Sequence, residues 1–182
     1  FNMVKKMKDA GVPIDGIGMQ GHYNVYGPSM EDIATAIEKY ATLVKHIHFT
    51  ELDVRANSEM GGQLQFSRNE GAVIEPYIRT LHENQYHQLF RVFRKHKDVI
   101  DVVTFWNVTD RDSWVDVNNY PLLFDKDGNR KQSYRLVKKF NPDLDNIEVK
   151  EDFKPSELNQ PGQEYPMVNS QGFARFRIVA PQ

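Results

Sequence analysis

Glu51 and Asp53 stand two residues apart in the stretch Lys45-His46-Ile47-His48-Phe49-Thr50-Glu51-Leu52-Asp53-Val54-Arg55. The stretch is β-branched and aromatic, too short for a helix, and follows an amphipathic helical pattern, so it predicts a buried strand of an α/β protein. Regular alternation puts Phe49, Glu51 and Asp53 on one face and His48, Thr50, Leu52 and Val54 on the other. Two carboxylates then share a face at the C-terminal end of an apolar strand. Burying a carboxylate costs several kcal/mol unless it is paired or placed in a working site. Glu51 is either a solvated acid at a strand end or part of such a site, and the neighbouring strands decide which. His22 is the candidate neighbour, on one face with Gln20 at the end of the segment Ile14–Tyr23. Taken alone, it reads more readily as a hydrogen-bonded core histidine. Trp106 and Trp114 flank Asp110, Arg111 and Asp112. Tryptophans among charges suit stacking on the apolar C–H face of a pyranose, and cover for the core is the alternative.

The elements that must position these groups alternate along the chain. Met3, Val4 and Met7 recur at helical spacing before a stop at Gly11. A glycine-rich strand is expected over 14–23, its glycines fitting a close approach of another segment or a ligand. Ser29 is an N-cap candidate, and Met30, Ile33, Ile37, Tyr40 and Val44 form one helical stripe. After the Glu51 strand, the polar, glycine-bearing stretch 55–72 reads as a long loop. A helix is expected from Ile74 to Lys97, broken near Glu83-Asn84, with Arg91, Arg94, Lys95 and Lys97 as a solvated face. A third strand spans Val99–Trp106, Lys126-Asp127-Gly128-Asn129 signals a turn, and a last helix runs from about Lys131 to Phe140. Residues 141–164 read as a linker or surface arm, and Phe173–Val179 as a half-exposed strand without a nearby partner.

Composition narrows the function classes. The 182 residues carry a formal net charge of -2 with no basic block, so neither nucleic acid nor an anionic membrane surface is an expected partner. Cysteine is absent, which excludes disulfides and thiolate metal sites. No apolar run approaches membrane-spanning length and no signal-peptide pattern is present in the chain. It opens on Phe1-Asn2-Met3-Val4 already in helical spacing, as an interior segment would. Strands alternating with helices, each with polar residues at its C-terminal end, predict a parallel α/β architecture, most often a barrel. A closed barrel needs eight such units and roughly 250 residues, and this chain supplies about three.

Gly16-Ile17-Gly18-Met19-Gln20-Gly21-His22, Thr50-Glu51-Leu52-Asp53 and Thr104–Trp114 resemble the sixth, seventh and eighth strand motifs of glycoside hydrolase family 10 xylanases. Pro121-Leu122-Leu123-Phe124-Asp125 and Lys131–Tyr134 match that family's closing segment, so the resemblance covers about residues 1–140. It implies the C-terminal part of a TIM (β/α)8 barrel followed by an extended tail. It further implies that Glu51 is the nucleophile of a retaining glycosidase, with His22 and Asp53 hydrogen-bonded beside it. Gln20, Trp106 and Trp114 would line the sugar subsites, and Tyr23 and Arg111 join them as candidate substrate-binding residues. Xylan or a xylo-oligosaccharide is then the ligand, no metal or organic cofactor is called for, and a secreted, periplasmic or cell-surface bacterial setting is implied. Tyr165–Ile178 resembles the opening of a β-sandwich module from xylanase–esterase chains, so 165–182 is a candidate start of a further module.

The sequence also departs from the family. Asn107 stands where glycine is usual, which bears on the backbone beside Trp106. The Trp-Asp-Val-Val-Asn-Glu-like stretch that carries the family's general acid/base does not occur in this chain. Retention uses two carboxyl groups about 5–5.5 Å apart across the bond, so the second one is expected outside these residues. Half a barrel would also expose sheet edges and an apolar interior, so self-association or a second polypeptide completing the barrel is expected. An inactive half-barrel that binds xylo-oligosaccharide is the alternative reading. No Gly-x-Ser-x-Gly elbow supports an esterase site here.

Overall fold

The structure, a computed structural model, describes residues 1–56, 76–115, 119–139 and 149–177. The expected loop from residue 57 on, Ile74, Phe140 and the end of the strand at 178–179 lie outside the described residues. Two compact units divide the chain, Phe1–Phe140 and Asn141–Gln182.

In the first unit, α1 (Asn2–Asp9) ends where Gly11 takes φ +82, as its position predicts. Instead of one strand over 14–23 there are two, β1 (Gly16–Met19) and β2 (His22–Asn24). Gly21 divides them at φ +86, a region that side chains with a Cβ rarely enter. A close approach does account for Gly16, where a Cβ would lie 2.9 Å from the His46 carbonyl oxygen. In α2 (Met30–Ala41), the Ser29 hydroxyl accepts the Asp32 N–H at 3.1 Å, and Ile33 and Ile37 are buried.

The central strand is β3 (His46–Arg55). It pairs in parallel with β1 along its first half, with β2 along its second, and with β4 (Ile100–Phe105). Its ladder is interrupted in the middle. From Met19↔Phe49 to His22↔Asp53, β3 advances four residues and its neighbour three. Between Phe49↔Val103 and Leu52↔Phe105 it advances three against two. One extra residue in β3 reverses the side-chain alternation from there on. The hydrogen bonds reverse too: the Ile47 N–H reaches Val99 O, whereas the Glu51 and Asp53 N–H groups reach Gln20 and Gly21. Grouping Phe49 with Glu51 and Asp53 is therefore corrected. Ile47 and Phe49 before the bulge, and Leu52 and Val54 after it, fill the core, and Glu51 and Asp53 turn to the other face.

The helix α3 (Pro76–Lys95) covers that core, with the Phe49 and Phe93 rings 4.2 Å apart. It runs unbroken through Glu83-Asn84, where the sequence reading expects a break. Buried His82, Tyr86, Leu89 and Phe93 give it a continuous packed stripe, and tertiary packing overrides the weak local preference. Arg94 is likewise not simply solvated: its guanidinium donates to the Val137 carbonyl of α4 (Gln132–Lys138).

In the second unit, β6 (Met167–Val168) pairs antiparallel with β5 (Lys154–Pro155) and β7 (Ala174–Arg175). The tail strand thus has a nearby partner after all. Asn169 closes the turn, its side-chain oxygen accepting the N–H groups of Gln171 at 3.0 Å and Phe173 at 2.8 Å. Strands of two residues carry no readable alternation, which is why the pairing escapes the sequence pattern.

Candidate active site

His22 opens β2 directly opposite Asp53 in the register of β3. The break at Gly21 on one side and the bulge in β3 on the other bring three chemical groups together. His22 Nδ1 lies 3.0 Å from Asp53 Oδ2, and Nε2 lies 3.0 Å from Glu51 Oε2. Trp114 donates its Nε1–H to the same Asp53 Oδ2 at 2.6 Å, its ring centroid 4.8 Å from the imidazole. Asp53 is fully buried, while the Glu51 side chain keeps 25% of its exposure and so faces open space.

A neutral imidazole has one N–H and one lone pair, so it can donate to only one of the two carboxylates. With both carboxylates ionised, both contacts are satisfied when both ring nitrogens carry protons, and the cluster then holds a net charge of minus one. Burial pushes the Asp53 carboxyl above its usual range, and the Trp114 hydrogen bond, His22 and Arg55 pull it back. Asp53 Oδ1 is buried without a hydrogen-bond partner among the described residues, so the whole hydrogen-bonding load falls on Oδ2. Chemically, this is a part-exposed carboxylate with an imidazole nitrogen against one of its oxygens, at the end of a parallel sheet. Such a group can attack an electrophilic carbon or stabilise a developing cation.

The remaining candidates fall at different distances from that cluster. The Gln20 carbonyl accepts the Glu51 N–H at 2.8 Å, and the Trp106 N–H reaches Leu52 O at 3.1 Å, so both residues flank the site through the β3 backbone. Trp106 is 42% exposed, as a stacking platform requires. Tyr23 packs on the core, and burial pushes its phenol up to about 12. Arg111 sits on an exposed turn with its guanidinium 3.3 Å from Asp127. Asn107, in the place of a glycine, takes φ +99, so the backbone follows a glycine-like path with asparagine in it. Among the described residues, no group of three His, Cys, Asp or Glu is arranged to hold a metal ion.

Sequence reasoning missed a buried ion pair, Lys131 Nζ to Asp110 Oδ2 at 2.6 Å. One signal was available: Lys131 occupies the N-cap of α4, a position that favours Ser, Thr, Asp or Asn.

Comparison with known proteins places this geometry in context. The glycosyl hydrolase family 10 model matches residues 1–140. An endo-1,4-beta-xylanase/feruloyl esterase of Xylanibacter ruminicola is 59% identical over 181 residues, covering 100% of this chain and 25% of that protein. Endo-1,4-beta-xylanase B of Paenibacillus barcinonensis is 36% identical over 140 residues, covering 74% of this chain and 41% of that protein. A solved psychrophilic glycoside hydrolase family 10 endo-beta-1,4-xylanase is 61% identical with a TM-score of 0.69, covering 77% of this chain and 41% of that structure. The chain therefore spans about a quarter to two-fifths of the length of these relatives.

Proposed function

Because the chain belongs to glycosyl hydrolase family 10 and folds as part of a (β/α)8 barrel, we propose that it supplies the nucleophile side of a retaining endo-β-1,4-xylanase. The observation that carries this reading is the contact of one imidazole with both Glu51 and Asp53. His22 holds Oε2 of Glu51, so Oε1 is the oxygen presented for attack. In the first step that oxygen bonds to the anomeric carbon as the glycosidic C–O bond breaks. A glutamate outside this chain gives its proton to the departing oxygen. In the second step the same glutamate takes a proton from water, whose oxygen displaces Glu51 from the anomeric carbon. Asp53 cannot take the acid's part, since it lies on the strand of Glu51 and shares its imidazole. Trp106 and Trp114 supply stacking faces for xylose rings, with Gln20 beside them. Xylan is an extracellular polymer, so the working protein belongs outside the cytoplasm or on the cell surface.

A 2-deoxy-2-fluoro-β-xylobioside with a dinitrophenolate leaving group tests the assignment, because that leaving group needs no proton. Glu51 should displace it and remain esterified to the sugar, and peptide mapping should find the label on the Glu51 peptide. Labelling that survives Glu51→Ala, or that maps elsewhere, would remove the nucleophile assignment.

A second reading is favoured by the exposed sheet face. His46, His48, Asp101 and Val102 stand open on β3 and β4. On that reading the chain associates, with a second copy or with the polypeptide that completes the barrel, before it turns over substrate.

A further inference from the structure

The segment 106–115 carries both tryptophans of the protein yet has neither helix nor strand to hold it. Trp114 nonetheless keeps its indole N–H 2.6 Å from Asp53. Asp110, midway along the segment, is 2% exposed and forms its anchor. Its Oδ1 accepts the Leu122 N–H at 2.9 Å and Lys131 Nζ at 2.8 Å. Lys131 also donates to the carbonyls of Leu122 at 2.7 Å and Tyr120 at 3.0 Å, and lies 3.3 Å from the centre of the Tyr120 ring. The Asp110 N–H reaches Phe124 O at 3.1 Å. The segment around Pro121 is in turn tied to the end of β3 through the Val54 N–H at 3.1 Å, and to α3 through the Tyr86 hydroxyl at 2.6 Å. One ammonium group thus fastens the tryptophan segment to the strand that carries Glu51 and Asp53.

Stability alone does not account for this arrangement. Burial pushes Asp110 up to about 6 and pulls Lys131 down to about 8, so desolvation outweighs pairing at both groups. Buried ion pairs of this kind often stabilise no more than neutral residues that fill the same space. What an apolar pair lacks is the donors: one ammonium joins Asp110 to the Leu122 and Tyr120 carbonyls at once.

We propose that Asp110 and Lys131 are positioning residues that hold the Trp114 indole on Asp53 and thereby set the His22–Glu51 contact. The last link, to Glu51, rests on the nucleophile reading above; the link from the ion pair to Trp114 does not.

The test uses the protein with Trp106→Phe, so that Trp114 is the sole tryptophan, and follows its indole N–H by nitrogen-15 NMR. Adding Asp110→Asn and Lys131→Met together leaves no unpaired charge. The expected result is an unchanged or higher melting temperature together with indole hydrogen exchange at least about tenfold faster, the factor implied by a lost charge-assisted hydrogen bond. A folded variant whose Trp114 resonance and exchange match the parent, whatever its melting temperature, overturns the proposal. The unsubstituted ion pair supplies a second arm that needs no folded variant. Trp114 fluorescence is followed from neutral pH to the onset of alkaline unfolding, a range in which Lys131, facing Asp110, Tyr120, Asp125, Arg79 and His82, is held by burial below its ordinary value. A Trp114 transition on deprotonating Lys131, at whatever pH below alkaline unfolding, supports the proposal, and a profile flat up to that unfolding overturns it. Fluoro-xylobioside labelling separates the two readings: no label on the parent counts against Glu51 alone, while the Trp114 signals still decide the role of the pair.

Discussion

At the scale of single residues, the site depends on one imidazole serving two acids. His22 has no further ring nitrogen to offer, and Asp53 Oδ2 takes both His22 and Trp114. Two donors and the nearby Arg55 charge oppose the burial penalty of this fully buried acid in part, and desolvation remains the larger effect. Asn107 shows the opposite economy. At φ +99 it holds a conformation that suits glycine, beside the exposed Trp106. Asn107→Gly should relieve that strain and stabilise the protein by about 1 kcal/mol, measured by urea unfolding. A loss of stability instead would show that the asparagine side chain carries a compensating contact.

At the scale of elements, α3 carries a cost of its own. His82 lies fully buried between Tyr86 and Tyr120, ring centroids at 4.9 and 5.2 Å, and among the described residues neither of its ring nitrogens closes a hydrogen bond of ordinary geometry. Burial, with the Lys131 charge adding to it, pulls it from 6.5 to about 3, while the nearby Pro121 and Val54 carbonyls only partly oppose the shift. A folded-state value below the unfolded one means that the native state favours neutral His82. Its contribution is then fully present above pH 6.5 and is lost as pH falls toward 3. The loss across that window is on the order of 5 kcal/mol. His82→Leu, which cannot charge, should flatten the acid side of the stability–pH curve measured by denaturant unfolding. An equally steep curve in the variant would place acid sensitivity in other groups. A break near Glu83-Asn84 is the sequence expectation, yet only Asn84 is a weak helix former there. The packed face of α3, which no local window displays, decided otherwise.

At the scale of the whole molecule, the sheet of the first unit is open. Among the described residues, neither β1 nor β4 has a second neighbour, and the face bearing His46, His48 and Val102 is exposed. Free strand edges and an uncovered face favour pairing with another chain. Sedimentation equilibrium should therefore find a dimer or larger assembly, or a tight complex once the rest of a family 10 barrel is supplied. A folded monomer indifferent to that addition would contradict the association reading. It would leave the geometry around Glu51 untouched.

The sequence by itself determined the alternation of strands and helices, the caps at Ser29 and Gly11, and the identity of His22, Glu51, Asp53 and the two tryptophans as residues of interest. Those features are local: spacing, propensity and motif are written within a few neighbours of each residue. Only the tertiary structure decided on which side of β3 the acids stand. The extra residue between Phe49 and Leu52 is defined against β1, β2 and β4, so no periodicity within β3 alone can reveal it. The same holds for Lys131 and Asp110, which are 21 positions apart in the chain and meet only because the segment between them folds back onto the end of β3. Strand register and long-range ion pairs are relations between segments, and the fold is where those relations are set.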